Sequence, residues 1–204
     1  ERTTAVARVV TTPVRSGSNA AMLQAANQTT EPQKDGTQSN PFYWSAIFSI
    51  VKPSAVADAK NSLVTVKTYF LLPPESMTLE TVFMPDFEIM SMDKYEGSIY
   101  GTDYMAQMWI DPLGAIGSYT STPDYWLWPV WWTTPWVPAF RLQPNVWYKA
   151  EMKVDFKNKN YVSLSLEGPG TYQTFYPPRG QEGIVQKPHG YWAEGMGIFL
   201  GIYN

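Results

Sequence analysis

The segment 147–166 constrains this chain more than any other stretch, because it alternates in chemical character almost without a slip. Trp147, Lys149, Glu151, Lys153 and Asp155 alternate with Tyr148, Ala150, Met152, Val154 and Phe156. Successive side chains of an extended strand point to opposite faces, so this pattern gives one apolar face and one wet face. Lys157-Asn158-Lys159-Asn160 then supplies turn chemistry, and Tyr161, Val162, Leu164 and Leu166 carry the return strand. The segment reads as an antiparallel hairpin with one solvated face.

The same signature recurs along the chain, while helical periodicity is nearly absent. Strand candidates lie at 5–10, 20–24, 42–51, 62–72, 78–84, 88–91, 104–110, 117–120, 125–132, 170–176 and 197–203. Short strands at this density, separated by turn residues, predict an all-β antiparallel sandwich or barrel. The polar stretch 27–40 reads as a surface loop and the Pro/Gly-rich stretch 174–191 as a connection. Neither makes a domain linker and no fixed-period repeat appears, so residues 1–204 are expected to form a single domain.

Composition removes several classes of function. Fifteen basic residues against 18 acidic ones give a net charge of −3 without any basic block, which argues against a nucleic-acid partner. No window approaches the ~18 uninterrupted apolar residues of a membrane-spanning helix. The absence of cysteine removes disulfides, thiolate zinc sites and thiol nucleophiles together. His189 is the lone histidine, a loop residue that cannot build a histidine-rich metal site, and no G-x-S-x-G elbow is present. No cofactor is expected. Calcium stays open, since oxygen ligands suffice and Asp103, Asp111 and Asp155 fall near predicted turns, although no EF-hand-like loop occurs. The start at Glu1 without methionine is that expected of a processed or trimmed chain, and Asn27-Gln28-Thr29 matches a glycosylation acceptor.

The aromatic distribution carries the functional signal. Residues 124–136 contain Trp126, Trp128, Trp131, Trp132 and Trp136, five of the nine tryptophans. In an extended chain Trp126, Trp128, Val130 and Trp132 share one face while Tyr125, Leu127 and Trp131 share the other. Pro129 and Pro135 deny ladder donors, which predicts an edge or a loop. Three uses fit: core packing, an interface between subunits of an assembly, and stacking on the C–H face of a sugar. The nine methionines are scattered and read as core filling. Among carboxylates, Asp86 and Glu88 share a strand face, the nearest approach to the paired acids of a glycosidase; solvated strand charges are the plainer alternative.

Four segments together resemble the concanavalin A-like jelly-roll superfamily, which includes lectins, laminin-G-like modules and alginate-lyase-like enzymes. Val9-Val10-Thr11-Thr12-Pro13-Val14-Arg15-Ser16-Gly17-Ser18-Asn19-Ala20-Ala21-Met22-Leu23 resembles the early strand pair of such domains. The hairpin from Asn145-Val146-Trp147-Tyr148-Lys149 through Val154-Asp155-Phe156 is similar to the family's W-Y-x-x-x-x-x-V-D ladder. Gly197-Ile198-Phe199-Leu200-Gly201-Ile202-Tyr203 resembles the late strand written Y-F-K-A-G-x-Y, and Ala106-Gln107-Met108-Trp109 lies where the lyases carry Q-I-H. The resemblance implies a jelly-roll sandwich with a glycan-shaped groove, in which Gln107 and Tyr203 are the counterparts of the lyase neutraliser and tyrosine. Trp109 stands at the histidine position and Leu200 at the lysine position, so the proton-transfer groups of a lyase are missing. The resemblance starts one strand late and stops one strand early, which implies a longer polypeptide or an edge completed by strand addition from another chain.

The reading that follows is a concanavalin A-like antiparallel jelly-roll β-sandwich acting as a non-catalytic carbohydrate-binding module, extracellular or at a particle surface. Its expected ligand residues are Trp126, Trp128, Trp131, Trp132 and Trp136, with Gln107, Tyr104 and Tyr203 in the groove. Its expected partner is a glycan or polysaccharide. The alternatives are a structural subunit of a filament, sheath or virion that uses the tryptophan segment for self-assembly, and a lyase or glycosidase using Asp86, Glu88 or Tyr203.

Overall fold

The computed structural model describes residues 6–18, 20–24, 44–51, 56–77, 82–95, 101–118, 120, 130–133, 141–188 and 194–203. Their strands are β1 (Val6–Val10), β2 (Ala20–Gln24), β3 (Trp44–Val51), β4 (Leu63–Leu71), β5 (Val82–Ser91), β6 (Thr102–Ile110), β7 (Ile116–Ser118), β8 (Val130–Trp131), β9 (Trp147–Asp155), β10 (Asn160–Gly168), β11 (Thr171–Phe175), β12 (Val185–Pro188) and β13 (Gly195–Tyr203). A single helical turn, α1 (Val56–Ala59), precedes β4. Every pairing among these strands is antiparallel. The all-β sandwich expected from the alternation is therefore the observed architecture.

The smaller sheet has the order β11-β10-β9-β4 and the larger one β3-β13-β5-β6-β7-β8, with β12 also on β6; β1 and β2 form a separate ribbon. In β9 buried and half-buried residues alternate from end to end, which is the two-faced hairpin strand read from the sequence. Its wet face carries ion pairs: Glu151 with Lys67 across to β4 and with Lys153 two residues along β9, both at 3.4 Å, and Lys149 with Glu167 across to β10. Charges set opposite one another in this way suit a solvated sheet surface and add little stability there.

The inner faces of the two sheets close over one apolar layer. Val66, Phe70, Tyr148, Met152, Val154, Leu164 and Leu166 of the smaller sheet meet Phe83, Phe87, Ile89, Ala106, Met108 and Ile110 of the larger. Phe70 stacks on Phe83 with ring centroids 4.4 Å apart, and Phe87 meets Phe156 edge-on at 5.6 Å. Backbone approaches one ring closely: a Cβ at Gly168 would overlap Cε1 and Cδ1 of Tyr148, so the site admits glycine alone without displacing that ring.

Two strand readings need correction. Residues 78–84 and 88–91 were expected as separate strands, yet β5 runs unbroken through Pro85. The β5–β13 ladder is continuous there, whereas the β5–β6 ladder passes from Phe83↔Ile110 to Asp86↔Gln107. The missing donor of Pro85 falls in that interval, so proline interrupts one ladder and leaves the other whole. Residues 174–191 were expected as a connection, yet they include β11's end and β12, which pairs with Thr102–Met105 of β6.

β6 therefore has an unusual edge. β5 covers one side, while the other side is shared by β12 over Thr102–Met105 and by β7 over Met108–Ile110. Gln107 lies in the gap. Its backbone N–H donates to the Tyr161 hydroxyl at 2.9 Å, and that hydroxyl is 3.3 Å from the Gln107 carbonyl as donor. Tyr161 thus reaches across the core from β10 and satisfies both main-chain groups that a strand would otherwise have paired. The β9–β10 ladder skips Val162 beside it, a bulge that re-aims the strand next to the tyrosine.

Candidate functional site

Alternation along β5 and β6 decides what lies on each face of the larger sheet. Phe83, Phe87 and Ile89 of β5 and Tyr104, Ala106, Met108 and Ile110 of β6 belong to the inter-sheet core. The opposite face then carries Met84, Asp86, Glu88 and Met90 beside Asp103, Met105, Gln107 and Trp109. These eight residues are all buried. β12 adds Val185 opposite Met105 and Lys187 opposite Asp103.

A polar row runs across this outer face. The Gln107 amide donates to Asp86 Oδ2 at 2.8 Å, and the Trp109 indole N–H reaches Gln107 Oε1 at 3.4 Å. One register step along, the Lys187 ammonium donates to Glu88 Oε1 at 3.2 Å. The Met105 sulfur lies 3.3 Å from the Gln107 amide nitrogen and 3.5 Å from Lys187 Nζ, joining the two pairs. Asp86 Oδ1, Asp103 Oδ1 and Thr120 Oγ1 are buried and have no hydrogen-bond partner among the described residues.

The electrostatics follow from burial. Desolvation, reinforced by the Glu88 charge, raises Asp86 well above the usual carboxylate range despite the Gln107 hydrogen bond. Desolvation and then Glu88 push Asp103 up to about 7, with Lys187 pulling the other way. Burial opposes the charge on Lys187, yet attraction to Glu88, and more weakly to Asp103 and Asp86, outweighs it and holds the ammonium above its ordinary value. A carboxyl with a raised folded-state pKa stabilises the fold below its unfolded value near ~3.9 and loses that contribution as pH rises through the folded value. Stability should accordingly fall between about pH 4 and pH 7 through Asp103. Asp103→Asn is expected to flatten that slope and to raise stability at pH 8 by about 1–2 kcal/mol, reduced from the full shift by solvent screening. Urea melts of both proteins from pH 4 to pH 8 measure it, and parallel curves would contradict it.

The expected ligand residues separate into groups. Gln107 lies on the outer face, held between Asp86 and Trp109. Tyr104 does not join it, because the two stand three positions apart and alternation sends them to opposite faces. Its ring lies in the core under Lys159 Nζ, 3.9 Å from the centroid, and its hydroxyl donates to Asp93 Oδ2 at 3.2 Å. Tyr203 is placed by backbone register opposite Val82 and Trp44. Trp132 packs against the core, edge-on to Tyr161 at 5.5 Å, with its indole N–H on Ser118 Oγ at 2.9 Å. It buttresses the tyrosine that fills the gap beside β6. Register puts Trp131 opposite Gly117, which is itself opposite Trp109, and β8 ends the strand order, the edge position that Pro129 and Pro135 predict. Trp126, Trp128 and Trp136, with His189 and Asn27, lie outside the described residues.

Of the calcium candidates, Asp103 is the second residue of β6, Asp111 Oδ1 accepts from the Leu113 N–H at 2.6 Å, and Asp155 caps its turn through Asn158 at 3.0 and 2.7 Å. Among the described residues no group of three or more histidine or acidic residues could hold a metal ion, and no helix is long and apolar enough to cross a membrane. Asp103 and Lys187 were missed as site residues in the sequence reading. The signal was available: a face bearing Met84, Met90, Met105 and Trp109 between its acids is not a wet face. No protein-family model and no curated protein matches the chain.

Proposed function

We propose that the protein is a non-catalytic carbohydrate-binding module of the concanavalin A-like jelly-roll kind, working outside the cell or on a particle surface, and that the outer face of the larger sheet is its recognition face. One observation carries the reading: the buried Asp86 carboxyl is oriented by Gln107 through one oxygen while its other oxygen meets no donor. A carboxyl group and an amide fixed beside an indole are the chemistry that recognises sugar hydroxyls, since a preorganised carboxyl oxygen engages a hydroxyl in a hydrogen bond at little entropic cost. Two features favour binding over lyase chemistry. Trp109, at the lyase histidine position, is bonded to Gln107, and Leu200, at the lysine position, packs against the inter-sheet core.

Titration of the protein with the best ligands from a broad glycan array tests the reading. Asp86→Asn, a near-isosteric change, should weaken binding by about tenfold or more by replacing an oriented carboxyl oxygen with an amide group. Failure of every glycan to bind, or an unchanged affinity in both Asp86→Asn and Gln107→Leu, would refute it.

The edge position of β8 supports the assembly reading as the second one. Under that reading the mass in solution, followed by light scattering over a hundredfold concentration range, grows with concentration. A constant mass of 23.1 kDa speaks against it.

A further inference from the structure

The polar row on the outer face is unbalanced in two ways. Among the described residues it brings three carboxyl groups, those of Asp86, Glu88 and Asp103, against one ammonium, that of Lys187. Donors are short as well: Gln107 and Lys187 serve Asp86 Oδ2 and Glu88 Oε1, which leaves Asp86 Oδ1 and Asp103 Oδ1 unpaired. Asp86 is 3% and Asp103 5% exposed, so bulk water does not make up the deficit. A buried acceptor without a donor is costly, and a buried carboxylate without a compensating charge more so.

The imbalance discriminates between ligands. A hydroxyl group satisfies an orphan oxygen and leaves the excess of acid untouched. A protonated amine supplies donors and a positive charge together. A metal ion would need several convergent oxygens, and no such group exists among the described residues. Access favours the Asp103 end, because Asp103 faces Lys187 on β12, whose side chain is 23% exposed. Building on the glycan-binding reading, we propose that this site takes a glycan bearing free amino groups, with an ammonium seated on Asp103 beside Glu88 and neighbouring hydroxyls on Asp86.

The cation stabilises the ionised form of Asp103, so binding at pH 6, where the sugar amine is still protonated, releases a proton from Asp103. The charged groups that set this release are Asp86 and Glu88 on β5 and Lys187 on β12, the last being displaced toward Glu88 as the ligand enters.

Short β-1,4-linked oligomers of glucosamine, N-acetylglucosamine and glucose share one backbone and differ at the C2 substituent, so calorimetric titration with the three separates the possibilities. The amino oligomer should bind about tenfold or more tightly than the other two, a difference of ~1.4 kcal/mol or more. Asp103→Asn should abolish that preference, whereas Glu167→Gln, on the far sheet, should leave it intact. Equal or tighter binding of a neutral oligomer overturns the amine assignment and leaves the glycan reading standing. Binding of none of the three, together with an empty glycan array, removes the glycan reading itself. An equal loss in both variants marks a general attraction of a polycation to an acidic protein and also overturns the assignment. Asp103→Asn is expected to be more stable than the parent at pH 8, so a failure to bind is not a failure to fold.

Discussion

Phe156→Ala is expected to remove about 3–5 kcal/mol of folding stability, read as a fall in the urea midpoint at constant slope. Phe156 has no exposed surface. It follows the last residue of β9, its backbone N–H donates to the Ser62 carbonyl at 3.1 Å, and its ring meets Phe87 of the opposite sheet edge-on. Truncation would therefore leave a cavity at a contact between the two layers, bounded by backbone that is itself hydrogen-bonded and slow to collapse. Since domains of this size are stable by only about 5–15 kcal/mol, the loss is a large share of the total. Val162→Ala is the matched control. Val162 is 40% exposed, and the change should stay within about 0.5 kcal/mol. Similar losses at the two positions would show that Phe156 is not the inter-layer anchor described.

Tyr161→Phe should cost about 2–4 kcal/mol although it removes a single oxygen atom. That oxygen accepts from the Gln107 N–H and faces the Gln107 carbonyl as donor. Both are main-chain groups in the interior, and each left without a partner costs about 1–3 kcal/mol. Burial drives the Tyr161 hydroxyl well above the usual phenol range, so it is protonated and able to donate at neutral pH. The diagnostic readout is amide exchange at Gln107, protected in the parent and fast in the variant. Tyr172→Phe, at a ring 61% exposed, should change stability by less than about 0.5 kcal/mol. An unaltered Gln107 exchange rate in Tyr161→Phe would disprove the role.

What was legible from the sequence divides along one physical line. Strand identity at 147–166 was legible because one face of that sheet meets water and the other the core, so composition alternates with the pleat. Trp132 packs on the core, one of the three uses that the tryptophan segment allowed. The outer face of β5 and β6 was harder to read, because both faces of that sheet are buried and its polar residues are internal. Asp86 and Glu88 looked like solvated charges, and Asp103 like a turn residue. β5 stays whole through Pro85, because the proline costs a bond in one ladder only and the other ladder is continuous. The grouping of Tyr104 with Gln107 neglected parity, which the numbering alone contained. The role of Tyr161 had no local signature, since it depends on two strands sharing one edge far away in sequence.

That shared edge has a mechanical consequence. β7 and β12 are zippers sewn to the same tape, and they do not touch the same stitches, so one can come undone while the other holds. Tyr161 is the rivet between them, fixed from the opposite sheet. Opening of β12 would carry Lys187 away from Glu88 and Asp103 without loosening β7 or the Trp132 buttress. The larger sheet would thus lose the Lys187 contact by a local event while the sandwich around it remains closed.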